Sequence, residues 1–168
     1  MATSPLAFVG GTTTGIAPVA APPTTAAQLV VWNGDAAKSY TITSVSCSTT
    51  TSAAATENLQ LFVHSSVAPI PRVPAGGTAA QGPKSMGGGP ASPSLAVVQS
   101  AVTIVNDGIW LPVGPSTNTG SATATIALGT WALVSGVYVI PPGGMLSLAV
   151  VTSSAAGVAK IYVTWTEA

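Results

Sequence analysis

The sequence predicts an all-β chain folded as an antiparallel β-sandwich, with a jelly roll as the leading topology. Three observations carry this. Gly (18) and Pro (14) punctuate the chain, and the intervals between them are short runs of Val, Ile, Thr, Tyr and Trp, the texture of strands and turns. Several runs alternate apolar with polar residues, the period of a half-buried strand. No segment sustains apolar spacing at i, i+3, i+4 and i+7 between helix caps, so helices to cover a parallel sheet are missing. A chain of 168 residues is long enough for one domain with a real core.

Residues 1–25 are small and rich in Pro and Thr, with Leu6, Phe8, Val9 and Ile16 as the larger apolar groups. The composition predicts an extended N-terminal arm that buries little within its own domain and lies on a neighbour. Residues 26–168 form the sandwich domain. Its first strand is Gln28–Asn33, closed by Asn33-Gly34-Asp35, residues that accept the positive φ of a tight hairpin. In Lys38–Cys47 the apolar phase slips once. Tyr40 and Ile42 share one parity, Val45 and Cys47 the other, which predicts a β-bulge between them. Asn58–Ser65 alternates Leu59, Leu61 and Val63 against Gln60, Phe62 and His64.

Residues 66–94 hold six prolines with Gly76-Gly77 and Gly87-Gly88-Gly89, and predict a long loop that embraces a partner. Strands resume at Leu95–Val105 and Ile109–Val113, separated by the Asn106-Asp107-Gly108 turn. Thr123–Leu128 follows, then Thr130–Ile140 with Gly136 as a bend. Pro141-Pro142-Gly143-Gly144 turns the chain into Met145–Thr152, with Leu146, Leu148 and Val150 on one face. The last strand, Val158–Glu167, points Ile161, Val163 and Trp165 inward and Lys160, Tyr162, Thr164 and Thr166 outward. About eight or nine short strands fit a sandwich.

Charge limits what the chain can do. Asp, Glu, Lys and Arg make up 5% of residues, with formal net charge +0, where a soluble domain carries roughly 25%. A neutral surface favours association, so the sequence predicts a subunit whose surface is occupied by neighbouring copies or partners over a dispersed monomer. Four scattered basic residues cannot form a phosphate-neutralising patch, which argues against nucleic acid as a partner. Mean hydropathy is +0.56, yet no run of about 18 apolar residues spans a membrane. The first residues, MATSPLAFVGG, lack the basic and apolar regions of a secretory signal. Cys47 is the single cysteine, which is compatible with assembly in a reducing cytoplasm and leaves no intrachain disulfide.

Catalytic readings fail on supply. His64 is the one histidine, and no G-x-S-x-G elbow accompanies it, so a packing or surface role is preferred to a Ser–His–Asp set with Asp107. Asp35 and Asp107 sit in turns, where Asp bonds local backbone, and Glu57 and Glu167 lie near strand ends, solvated or ion-paired. No catalytic residue, cofactor or metal is expected, since one His, one Cys and unclustered acids make no ligand set. Trp32, Trp110, Trp131 and Trp165 each lie in an apolar strand pattern, which favours packing over a sugar-stacking platform.

The strand-turn-strand Leu29-Val30-Val31-Trp32-Asn33-Gly34, Tyr40-Thr41-Ile42 and Val45, the Pro141-Pro142-Gly143-Gly144-Met145-Leu146-Ser147-Leu148 segment, and the terminal Thr164-Trp165-Thr166-Glu167 resemble small virion proteins of tailed bacteriophages. These are jelly-roll capsid decoration (cement) or head/tail accessory subunits. The resemblance spans residues 28–47 and 137–168. It implies an oligomer, commonly a homotrimer, seated on the major capsid protein or other virion proteins and reinforcing the lattice. It implies location in the virion, at the capsid surface or tail, and brings no catalytic residues. The alternative is a receptor- or glycan-binding module of a tail fibre or cell surface. For the cement reading, the expected contact residues are Leu6, Phe8, Val9 and Ile16 of the arm and Ile70 and Val73 of the loop. Deleting residues 1–20 is then expected to weaken attachment and leave the sandwich folded.

Overall fold

A computed structural model describes residues 7–52, 58–65, 78–86, 94–104, 109–118, 129–134, 136–152 and 157–168. In chain order the strands are β1 (Ala7–Gly11), β2 (Ala26–Ala27), β3 (Leu29–Trp32), β4 (Tyr40–Ser52), β5 (Asn58–Ser65), β6 (Thr78–Ala79) and β7 (Gln81–Ser85). They continue with β8 (Val97–Ser100), β9 (Val102–Thr103), β10 (Leu111–Asn118), β11 (Gly129–Leu133), β12 (Val139–Ile140), β13 (Met145–Thr152) and β14 (Gly157–Glu167). Sheet A runs β11-β4-β14-β1-β7, with β12 also on β4; sheet B runs β10-β5-β13-β3-β8-β6; β2 and β9 make a small third sheet. Every pairing between named strands is antiparallel.

The two principal orders match position by position: β11 with β10, β4 with β5, β14 with β13, β1 with β3, β7 with β8. Most chain neighbours lie in different sheets, β5–β6 and β11–β12 excepted, and the fold is an antiparallel β-sandwich. It contains more strands than a simple jelly roll requires, with β1 and β3 inserted at corresponding places in the two layers. Between the layers lies the main core, which includes Phe8, Leu29, Tyr40, Ile42, Leu61, Leu148, Ile161 and Trp165. Trp165 stacks between Phe8 and Tyr40, at centroid distances of 6.0 and 6.2 Å.

The bulge read from the phase slip is present. Ser44 pairs with Thr164 and Ile42 with Trp165, so Thr43 is the extra residue. It lets Tyr40, Ile42, Val45 and Cys47 all enter one core. Thr164 Oγ1 lies 2.7 Å from the Thr43 hydroxyl and 2.6 Å from that of Ser44, so outward hydroxyls tie the kink. The turn at Pro141–Gly144 also forms, with φ of 73° at Gly143 and Gly144 N donating to Pro141 O at 2.8 Å. Gly136 bends the chain between β11 and β12 at φ 78°.

Four expectations need correction. The arm is part of the sandwich from Ala7 onward. β1 lies between β14 and β7, and Phe8 is 1% exposed. Ile16 then bridges to Ala159 on sheet A and Val19 to Val151 on sheet B, so this segment staples the two layers together. Low apolar content misled the reading, because a strand flanked on both sides needs only one large inward residue. The proposed loop 66–94 contains β6 and β7; Pro83 is tolerated because β7 is a rim strand. The Asn33-Gly34-Asp35 turn is no two-residue hairpin, since it carries the chain from sheet B to sheet A. Gly34 is required by space, because a Cβ there would lie 2.5 Å from Leu95 O and 2.7 Å from Trp32 Cζ3. Finally, Leu95–Val105 is broken at Ala101, whose φ of 57° separates β8 from β9. Thr123–Leu128 and the Asn106-Asp107-Gly108 turn lie outside the described residues.

Sheet B has a second core on its outer side. Ala27, Val30, Val102, Ile104 and Met145 cluster there, with Trp32 and Trp110 packed against them. β13 is thus buried on both faces, which its near-continuous apolar run is suited to.

Candidate interaction surface

His64 is 0% exposed and its ring lies 5.1 Å from that of Trp110. In register it stands opposite Ser147, which stands opposite Val30. Both polar side chains are sealed within the outer layer of sheet B. Among the described residues no group of three His, Cys, Asp or Glu could hold a metal ion. Trp165 is core, Trp32 and Trp110 pack on the second core, and the Trp131 side chain lies outside the described residues. Three of the four tryptophans are therefore packing elements.

Acidic residues serve local order. Asp35 accepts from Ala37 N at 2.8 Å and Lys38 N at 3.1 Å, and these two backbone donors hold its carboxyl below the usual carboxylate range. Asn33, fully buried, donates to Lys38 O and Ile140 O and accepts from Asp35 N. Glu167 accepts from the Ser94 hydroxyl and from Trp165 Nε1 at 3.3 Å, and pairs with Lys38 Nζ at 3.6 Å. Glu57 and Asp107 lie outside the described residues.

What does stand out is where large apolar side chains meet solvent. β3 turns into β4 and β12 into β13 at the same end of the sandwich, tied by Asn33 N to Gly144 O and Gly143 N to Asn33 O. Val139 belongs to this end because it pairs with Thr41, one position from the start of β4. Met86 belongs to it because its N–H bonds Ala7 O, and Ala7 pairs with Thr166. Leu95 precedes β8, whose Val97 pairs with Trp32. Ile109 precedes β10, whose Leu111 pairs with Val63 near the end of β5. Val137 lies on the bend between β11 and β12. These five side chains are 52% exposed at Val139 and up to 79% at Ile109. A pocket of about 110 Å³ opens beside them, lined by Val137–Pro141, Met145 and Leu146. It is far smaller than the few hundred Å³ of a ligand site, and its scale is that of a single inserted side chain. The surroundings carry Asp35, Lys38 and Glu167.

Of the contact residues expected from sequence, Phe8 is core, Ile16 packs against the core and Val9 is half-buried on the outer side of sheet A. Leu6, Ile70 and Val73 lie outside the described residues. Sequence reading missed Leu95, Ile109, Val137 and Val139 because each sits in or beside an apolar run, and Met86 because it stands alone between Ser85 and Gly87 in the segment read as a loop. A usable signal existed: Ile109 and Val137 directly follow Gly108 and Gly136, where the chain has left the ladder and cannot bury the side chain.

The fold and this end together define a β-sandwich with several exposed large apolar side chains at one end and 5% charged residues. No family model matches the chain, and no characterised protein or solved structure is detectably similar to it.

Proposed function

We propose that the chain is a virion structural protein, a decoration (cement) subunit that attaches to the major capsid protein lattice through its apolar end. The observation that carries this reading is the gathering of Met86, Leu95, Ile109, Val137 and Val139 at one end of a sandwich with 5% charged residues. Exposed apolar side chains collected at one end of a domain are a common mark of an interaction site. Fully withdrawing one of them is worth about 1.5–3 kcal/mol, set against several kcal/mol for immobilising the subunit. One copy is held modestly, and many copies on a lattice resist shell expansion together. The Glu167–Lys38 contact, with Glu167 buried and Lys38 half exposed, and the Asn33 bonds hold the turns beneath the patch in place, so little order is lost on docking. The protein is assembled in the host cytoplasm and works at the capsid surface.

The test is co-sedimentation with shells assembled from the same virus's major capsid protein, followed by shell disruption temperature. Saturable binding at a fixed copy number and a raised disruption temperature are expected. Replacing both Leu95 and Ile109 by Asp should weaken binding at least about tenfold with the chain's own thermal unfolding unchanged. Absence of binding by the native chain overturns the reading.

A further inference from the structure

One carboxylate at the apolar end joins three segments that are distant in the chain. Glu167 closes β14 of sheet A, and its side chain is 4% exposed. Its Oε1 accepts from the Ser94 hydroxyl and from Trp165 Nε1 at 3.3 Å, and its Oε2 lies 3.6 Å from Lys38 Nζ. Ser94 leads into β8 of sheet B, so its bond to Glu167 ties the two sheets together by side chains. Lys38 belongs to the turn from β3 to β4. Next to Ser94 stands Leu95, 58% exposed, and its backbone is held on both sides. Ser94 Oγ accepts from Ala96 N at 3.2 Å, and Ala96 belongs to the main core. Leu95 O packs against Gly34, where a Cβ would come within 2.5 Å of it.

We propose that Glu167 is the positioning residue of this end: through Ser94 it fixes the pose in which Leu95 meets a partner. The proposal rests on the attachment reading for its consequence, and its mechanism stands on the hydrogen bonds alone. The three donors ask different things of the carboxylate. Trp165 is 0% exposed, so its N–H needs an acceptor for the fold's own sake. Lys38 is half exposed, and an ion pair that reaches water adds little. Ser94 is the donor that links the carboxylate to an exposed apolar side chain. A leucine on a loose segment loses freedom when it docks, which subtracts from affinity. Leu95, tied at Ser94, Ala96 and Gly34, has given up that freedom in advance. Glu167 therefore acts on binding without touching the partner.

The test compares Glu167→Ala, Glu167→Gln and Ser94→Ala, each in the native chain and in a Leu95→Ala background. Gln keeps an oxygen for Ser94 and Trp165 and changes only the atom that faces Lys38, so it serves as the conservative rescue. Amide exchange of the full chain needs no partner. In Glu167→Ala the Ala96 amide should exchange at least about tenfold faster, with the β5 and β13 amides unchanged. On capsid-protein shells, Glu167→Ala and Ser94→Ala should each weaken binding about fivefold, and by less than about twofold once Leu95 is Ala. Glu167→Gln should bind within about twofold of the native chain. Should Glu167→Ala fail to fold, Ser94→Ala carries the same binding cycle. Native exchange at Ala96 in Glu167→Ala overturns the proposal, as does acceleration of all amides alike or an equal loss of binding in the Leu95→Ala background. Shells that bind no native chain overturn the attachment reading, and the exchange rates still decide whether Glu167 holds Leu95.

Discussion

Residues 7–19 and 129–140 are both uncharged and built mainly of small and aliphatic residues, with Phe8 in the first and Trp131 and Tyr138 in the second, yet they finish in opposite environments. The first becomes β1 in the interior of sheet A, and the second becomes the rim strands β11 and β12. Composition does not separate them. The separation comes from what each can bury. β1 has one large inward side chain, Phe8, and two glycines that let neighbours approach. The rim has more apolar bulk, and part of it stays in water. A segment's place in a sheet is thus decided by the fit on its two flanks more than by its own hydropathy.

The largest expected effect follows from Phe8. Its ring stacks on Trp165 at 6.0 Å and is 1% exposed, so Phe8→Ala should cost about 3–5 kcal/mol, read as a lowered urea midpoint. Deleting residues 1–20 should abolish the cooperative unfolding transition altogether. If the truncated chain unfolds like the full one, β1 is dispensable and the original reading of an arm is restored.

Gly11 gives the next effect. A Cβ there would lie 2.6 Å from Ile161 O and 2.6 Å from Tyr162 Cδ1. The first of these is backbone of the adjacent strand and cannot swing away. Gly11→Ala should therefore destabilise by about 3 kcal/mol.

Tyr40 lies where the two regions meet, paired with Ile140 on the rim and stacked on Trp165, whose ring also lies against Phe8. Burial, with Glu167 nearby, pushes its phenol from 10.0 up to about 12. The folded state therefore holds the proton more tightly than the unfolded chain. The resulting stability is fully present below pH 10 and is lost as pH rises toward 12. Burial raises the Tyr138 phenol as well, with the same sign. Urea midpoints should fall across that window, and Tyr40→Phe should flatten most of the fall. An equally steep fall in the variant would assign the effect to other groups.

The sheet architecture was legible in the sequence where side-chain period and turn chemistry act locally. β14 alternates cleanly, Pro141–Gly144 has one turn it can make, and the phase slip between Ile42 and Val45 marked the stretch in which the bulge at Thr43 lies. Two kinds of feature were not legible. Pairing between distant segments, such as β1 with β14, leaves no local trace when the strand is five residues long and ends in two glycines. Burial of a second face is equally silent: Ser147 and His64 look like outward residues of alternating strands, and only the cover formed by β2, β9 and Trp110 makes them interior. The exposed apolar side chains at the sandwich end were missed for the same reason. Val137 and Ile109 differ from core residues in position at the ladder's end, and a one-dimensional pattern records residue type before it records where a ladder stops.

The smallest effect belongs to the rim's own glycine, and it separates two ways a glycine can be necessary. Gly136 has φ of 78°, and a Cβ there would meet nothing within 4 Å. Gly136→Ala therefore carries backbone strain alone, about 1–2 kcal/mol. Asn tolerates the left-handed region because its short polar side chain bonds locally, so Gly136→Asn should recover most of that loss. At Gly11 the obstacle is occupied space, and Gly11→Asn should be worse than Gly11→Ala. Thermal unfolding of the four variants distinguishes the cases by the sign of the Ala-to-Asn difference: recovery at position 136 and further loss at position 11. Recovery at both positions would mean that β1 has room to move, and that its interior place is held less tightly than the contacts of Phe8 imply.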